Sequence, residues 1–328
     1  MMSERNLTLF VWLTLLVFAV VANMIGEAYW VTLATRAAIF ALAGVGLNLA
    51  LGNGGMISFG HAAYFGIGGY VVGILATHAQ NYMPIYDGWV LIEGTQQMLI
   101  TWPLAIIIGG LAALLVGSLC LRTDGAYFIM ITLAFGQMFY YFAISWSAYG
   151  GEDGMSIYVR GGFPGLNTLA PLPFFLLSFA LLTLGILVVR TLNKSPFGLA
   201  LNAVRFSPAR VETVGISSKR LKLIAFVVSG MITALAGALF ADLNRYVSPA
   251  MFSWTISGEI MIFVILGGVA RLIGPVLGAI VFVVLEETLG GLSEFWHIYL
   301  GILLLVIVLF AKGGIAGVLI KNKGATNV

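Results

Sequence analysis

The side chains able to do chemistry are few, and they are scattered through apolar sequence. His61 lies in GNGGMISFGHAAYFGIGGY (residues 52–70), which holds seven glycines and no other residue able to carry a charge. Glu259 lies in TISGEIMIFVILGG, and Asn48, Ser58, Tyr127, Thr132 and Gln137 add uncharged hydrogen-bonding groups to other apolar runs. The sequence offers no paired carboxylates, metal-spaced histidines or nucleophile beside a base, so the pattern gives a catalyst nothing to work with. His61 has no second histidine, cysteine or carboxylate at ligand spacing, which argues against a metal site. Cys120 is the single cysteine, so no disulfide forms within the chain. The remaining chemistry is hydrogen bonding. Taken singly, Asn48, Tyr127, Thr132 and Gln137 fit bonds between membrane helices. As a set they fit a path that offers polar contact without tight capture. For His61, a bond to a neighbouring helix and a pore-facing position are equally open. Glu259 either lines the path, bonds a neighbouring helix or sits at the interface.

The elements that must position these groups follow from composition. Sixty per cent of the 328 residues are hydrophobic and nine per cent are charged, a balance that water-soluble domains do not show. Runs of about 20 apolar residues, the length that crosses a bilayer core, recur along the chain. They predict an all-α polytopic membrane protein of about ten transmembrane helices: 7–25, 36–51, 55–78, 98–121, 126–146, 172–190, 223–241, 255–270, 274–290 and 295–311. The run 7–25 reads as the first span, being long for a signal-peptide core. Segment 55–78 reads as a glycine-interrupted, broken or re-entrant helix, and 255–270 is short for a full crossing. Residues 1–328 form a single transmembrane domain in this reading.

Orientation follows from lysine and arginine, which favour cytoplasmic loops. With both termini in the cytoplasm, 13 of the 16 basic residues fall inside, leaving Arg36, Arg160 and Arg245 outside. Arg122 and Asp124 share an inner helix end and read as a local pair. Glu286 and Glu287 fall at an outer helix end and read as interfacial.

The longest basic interruption is RTLNKSPFGLALNAVRFSPARVETVGISSKRLK (190–222), with seven basic residues and one acid. Leu199, Val204, Val211 and Val214 recur at helical spacing between prolines and glycines, predicting short amphipathic helices. Idle connections are usually only a few residues long. This one reads either as a docking surface or as a segment on anionic membrane lipid. No G-x-x-x-x-G-K-[ST] phosphate loop occurs, so any P-loop ATPase driving the process is another chain.

Five blocks, in order, carry a resemblance: LNLALGNGGMISFGHAAYFGIGGY (47–70), LRTDGAYFIMITLAFGQM (121–138), YGGEDGMS (149–156), SPFGLALNAVRFSPARVETVGIS (195–217) and ILGGVARLIGPVLGAI (265–280). With these blocks the chain resembles the LivM-type permease subunits of bacterial branched-chain amino acid ABC transporters. The resemblance implies an inner-membrane importer subunit working by ATP-driven alternating access. It also implies a second, LivH-type permease, two cytoplasmic ATPase subunits holding ATP and Mg, and a periplasmic binding protein. It gives this chain no cofactor and no nucleic acid partner. The family's coupling loop matches Ser195, Gly198, Arg205, Glu212 and Gly215. Here the general importer pattern departs, reading ARVETVG before Gly215. Relatives associated with urea, short amides and other small solutes keep the substrate open. An ion-coupled secondary transporter is the alternative from another class, and it would need more mid-membrane charge than Glu259.

Ten spans permit an inverted five-plus-five repeat, with 36–146 related to 223–311, and ALAG occurs at 41–44 and 234–237. The outer loop 147–173 reads either as a flexible connector or as a contact for the binding protein. In 52–70, the early glycines mark a turn, with Ser58 placed to cap a helix start. A half-helix beginning after Gly54 and Gly55 would aim its positive end at a carboxylate-bearing solute.

Overall fold

A computed structural model describes residues 4–84, 93–291, 296–310 and 313–319. Ten apolar helices answer the ten expected spans. They are α1 (Glu4–Ile25), α2 (Ala28–Asn48), α3 (His61–Gln80), α4 (Met98–Cys120), α5 (Ala126–Ser145), α6 (Pro171–Lys194), α9 (Ser218–Asn244), α10 (Trp254–Gly267), α11 (Gly274–Gly290) and α12 (Trp296–Phe310). Between α6 and α9 lie the short α7 (Pro196–Phe206) and α8 (Pro208–Thr213), and α13 (Gly314–Leu319) follows α12. Among the described residues, seven helices are long and apolar enough to cross a membrane alone, while α10 has only 14 residues. The end of the bundle carrying α7 and α8 is called the loop end below, and the other is the far end.

The core is organised about α2 and α9. Helices α3 and α4 pack on α9, while α10 and α11 pack on α2. Exchanging α2–α5 for α9–α12 therefore preserves the main contacts, as an internal repeat requires. Small residues make the close crossings. A Cβ on Gly68 of α3 would lie 1.8 Å from the Ala234 carbonyl oxygen of α9, and one on Gly237 of α9 would lie 1.8 Å from that of Phe65. Neither position has room for any side chain, which is how membrane helices gain packing where lipid supplies no hydrophobic drive.

Each half contains an inlet of irregular backbone, the second of them holding a short 3-10 turn at Pro249–Phe252. From the loop end, residues 49–53 form a π-turn at the end of α2, and residues 54–60 run on without helix to His61. From the far end, residues 245–253 descend along α3. Val247 meets Gly73, Met251 meets Gly69 and Phe252 meets Gly66, and then the Ser257 hydroxyl accepts from the Ala62 N–H at 2.8 Å. From Gly73 to Ala62 that descent covers about 16 Å of helix. Helix α10 thus begins part-way through the bundle, which is why its apolar run is short. Irregular backbone at such depth is stable only inside protein. Here Met251 N–H bonds Ser248 and Ser253 N–H bonds Ala250, while Tyr246–Val247 pairs antiparallel with Met155–Ser156.

The interruption expected within 55–78 lies wholly before the helix: α3 is continuous from His61 to Gln80. Gly55 has φ +67°, a left-handed conformation costly to other residues. The N–H groups of Phe59 and Gly60 bond Thr132 Oγ1 and Ser58 Oγ instead of joining a helical ladder.

Candidate functional site

Three arrangements gather the residues singled out by sequence. The first is buried at the crossing of α2, α3 and α9. His61 Nε2 lies 2.7 Å from Ser229 Oγ, and that hydroxyl donates to the Gly46 carbonyl at 2.6 Å. A serine has one hydrogen to give, so the imidazole donates through Nε2–H and leaves Nδ1 as the bare nitrogen. Nδ1 has no hydrogen-bond partner among the described residues. Nearby, Asn48 stitches α2 to the α10–α11 turn: its Nδ2 donates to the Arg271 carbonyl at 2.9 Å, and its Oδ1 accepts from Ala270 N–H at 3.0 Å. Asn48, Ser58, His61 and Thr132 are all buried; Asn48, His61 and Thr132 bond distant parts of the chain, while Ser58 accepts from the Gly60 N–H two residues on. The start of α3 is likewise occupied, with Ser257 of α10 taking the Ala62 N–H.

Tyr127, Gln137 and Glu259 stand apart from that network. Tyr127, Met130, Met138 and Tyr141 form an exposed stripe along α5, while Phe128, Thr132, Gly136 and Ala143 make its buried face. Gln137 is half-buried, and its Nε2 lacks a partner among the described residues. Glu259 on α10 is also half-buried and lies within electrostatic reach of Glu286 and Arg36. Glu286 is not simply interfacial, since it pairs with Arg36 of α2 at 2.7 Å.

The second arrangement is the loop-end segment 190–222. Ser195 caps α7, accepting from the Gly198 N–H at 3.4 Å, and Glu212 accepts from the Ser218 hydroxyl. Gly215, at φ +85°, closes α8: its N–H bonds Glu212 and the Ile216 N–H bonds Val211, the paired bonds of a left-handed glycine cap. These four residues thus shape the segment from within. Leu201, Val204 and Val211 are buried against the bundle, while Leu199 (68% exposed), Phe206 (84%), Val214 (77%) and Ile216 (40%) face outward. A groove of about 440 Å³ runs between Phe206, Arg210, Val214 and Ile216. Sequence spacing marked Leu199 and Val214 but overlooked Phe206, whose signal is its place just before the Ser207–Pro208 break. Asp124 pairs across the bundle with Lys222 at 2.9 Å rather than locally with Arg122, because the turn before α5 faces the start of α9.

The third arrangement is at the far end, where the loop 147–173 is tied down. Arg160 donates to the carbonyls of Asp242, Thr168 and Leu243 at 2.9, 2.8 and 3.2 Å, and its guanidinium lies 4.4 Å from the Phe174 ring centroid. Burial lowers its pKa from the ordinary arginine value, and the Asp242 charge opposes that shift. Trp102 Nε1 donates to the Asp242 carboxylate at 2.9 Å.

Apolar helices, two buried inlets, sparse polar side chains and an apolar loop-end surface define a polytopic membrane protein. Residues 29–311 match the family described as branched-chain amino acid transport system / permease component, and the chain belongs to that family. It is 26% identical over 325 residues to the high-affinity branched-chain amino acid transport system permease protein LivM of Escherichia coli K12, covering 92% of this chain and 73% of that one. The ribose import permease protein RbsC of Bacillus subtilis 168 is 27% identical over 173 residues, covering 50% of this chain and 51% of that one. A probable branched-chain amino acid transport permease protein LivH of Methanocaldococcus jannaschii is 25% identical over 158 residues, covering 44% and 48%. No solved structure matches the chain.

Proposed function

We propose that this chain is one of two permease subunits in an ABC importer of branched-chain or related hydrophobic amino acids. The loop segment, both termini and α13 face the cytoplasm of a bacterial inner membrane. A LivH-type permease pairs with this one, two ATPase subunits bind ATP and Mg, and a periplasmic protein delivers the solute to the far end.

The observation that carries this reading is the outward face of α7 and α8. Leu199, Phe206, Val214 and Ile216 are exposed beyond the bundle on a segment rich in lysine and arginine. Large apolar side chains clustered on an exposed surface mark a docking site. With no phosphate loop in this chain, an ATPase subunit is the partner the transport cycle requires. Docking of the loaded binding protein outside and closure of the ATPases on ATP inside then bias two states of the paired permeases. The exposed stripe of α5, with Gln137 and Glu259, is this chain's contribution to the shared path.

The substrate rests on the LivM likeness, which runs through 92% of the chain, against 50% for the ribose permease. Deleting the gene and restoring it on a plasmid tests the assignment. Leucine, isoleucine and valine uptake at low concentration should fall and recover, with ribose uptake unchanged; the opposite pattern would make the solute a sugar.

A further inference from the structure

We infer that Arg205 is a positioning residue that transmits movement of the loop segment to the inlet leading into α3. The inference rests on the proposed function, since it takes the outward face of α7 as the surface the ATPase moves. Where α2 ends in the π-turn, four consecutive carbonyls each find a donor. Those of Leu49, Ala50 and Leu51 are taken by the N–H groups of Gly54, Met56 and Gly55. The fourth, Gly52, is taken by Arg205 Nη1. Unpaired carbonyls at a helix end need such a donor, and a guanidinium supplies a charged one.

The approach is built into both chains. A Cβ on Gly55 would lie 3.0 Å from Arg205 Cγ, so the stem passes where only glycine leaves space. Arg205 and Phe206 are consecutive, yet one reaches back to the π-turn while the other is 84% exposed on the docking face. Leu201 and Val204 fix α7 against the bundle between them. A push on Phe206 therefore reaches Gly52 through one short, rigid element.

Gly52 sits at a junction. A Cβ there would lie 2.5 Å from Asn48 Oδ1 and 2.7 Å from Ala270 N, so the turn is wedged against the α10–α11 connection. The chain beyond it, 54–60, ends on Thr132 of α5 and Ser257 of α10. Helix α5 carries the exposed stripe, and most of its surface is free of packing within this chain. Displacement at Gly52 is thus relayed to a long helix with little packing inside this chain. Arg205 accordingly links the ATPase side to the path through its bond to the Gly52 carbonyl.

The test uses the complete complex in proteoliposomes, reading leucine uptake and ATP hydrolysis side by side. In Arg205→Ala, hydrolysis should stay near wild type while leucine moved per ATP falls about tenfold or more, a coupling loss of ordinary allosteric size. Arg205→Lys keeps one donor without the planar fork and should fall between. An unchanged ratio, a parallel loss of both activities, or failure of both Arg205 variants to assemble would overturn the link and leave the proposed function standing. A wild-type complex with no ATP-driven uptake of any small solute would overturn both.

Discussion

His61 of α3 and Ser229 of α9 share a hydrogen bond of 2.7 Å, and Ser229 passes its own hydrogen to the Gly46 carbonyl of α2. One buried hydroxyl thereby joins three helices drawn from both halves of the chain.

Replacing Ser229 with alanine strands the imidazole N–H, while the Gly46 carbonyl keeps its bond from the Leu49 N–H. Each buried polar group left unpaired costs about 1–3 kcal/mol, so Ser229→Ala should lower the melting temperature of the purified complex. Ser118→Ala, which removes only an exposed bond to the same helix's Leu115 carbonyl, should leave it unchanged. Equal melting of the two variants would contradict the buried role.

The α3–α9 crossing makes a sharper demand. Gly68→Ala and Gly237→Ala each place a methyl inside the facing carbonyl, and helices that cannot approach lose their packing. Both variants should fall to a small fraction of wild-type abundance in membranes. Gly290→Ala, with nothing within 4 Å of the added carbon, should accumulate normally. Quantitative blotting of membrane fractions reads the difference.

The docking face predicts the opposite behaviour. Phe206 is 84% exposed, so Phe206→Asp should fold and insert normally yet fail to retain the ATPase subunits. A central aromatic anchor is worth about 2 kcal/mol or more at an interface, close to thirtyfold in affinity. Pull-down of the ATPase through a tag on this chain, at matched permease levels, measures it.

At the far end, Trp102→Phe removes the donor that meets the buried Asp242 carboxylate. A hydrogen bond to a charged group contributes about 1.5–3 kcal/mol. The variant should melt earlier, and adding Asp242→Asn should recover part of the loss. Destabilisation that simply adds would show the two residues to be independent.

These relationships differ in how visible they are in sequence. The ten helices were legible because apolar run length is a local property. The short run at 255–270 even marked α10, since its missing half-crossing shows as missing residues. The descending segment 245–253 was not legible: its proline and polar residues look like an ordinary outer loop until the row of contacts with Gly73, Gly69 and Gly66 is seen. His61, Asn48 and Thr132 could be singled out as polar groups at depth, but their partners lie far along the chain. Ser229 is 168 residues from His61, and Ser257 is 195 from Ala62. The five loop residues matched by family resemblance were found as a segment, yet their directions depend on packing. Arg205 turns inward because Leu201 and Val204 bury that side of α7, and Phe206 is thereby left facing out.

The central claim is that this permease moves amino acids only as part of an ATP-driven assembly. The most direct measurement is the initial rate of labelled leucine uptake into proteoliposomes, with the full complex and with this chain alone. Uptake should require the complete assembly, the binding protein and internal or external ATP on the ATPase side, and it should persist when ion gradients are collapsed. Uptake by this chain alone, driven by a proton or sodium gradient without ATP, would contradict the account.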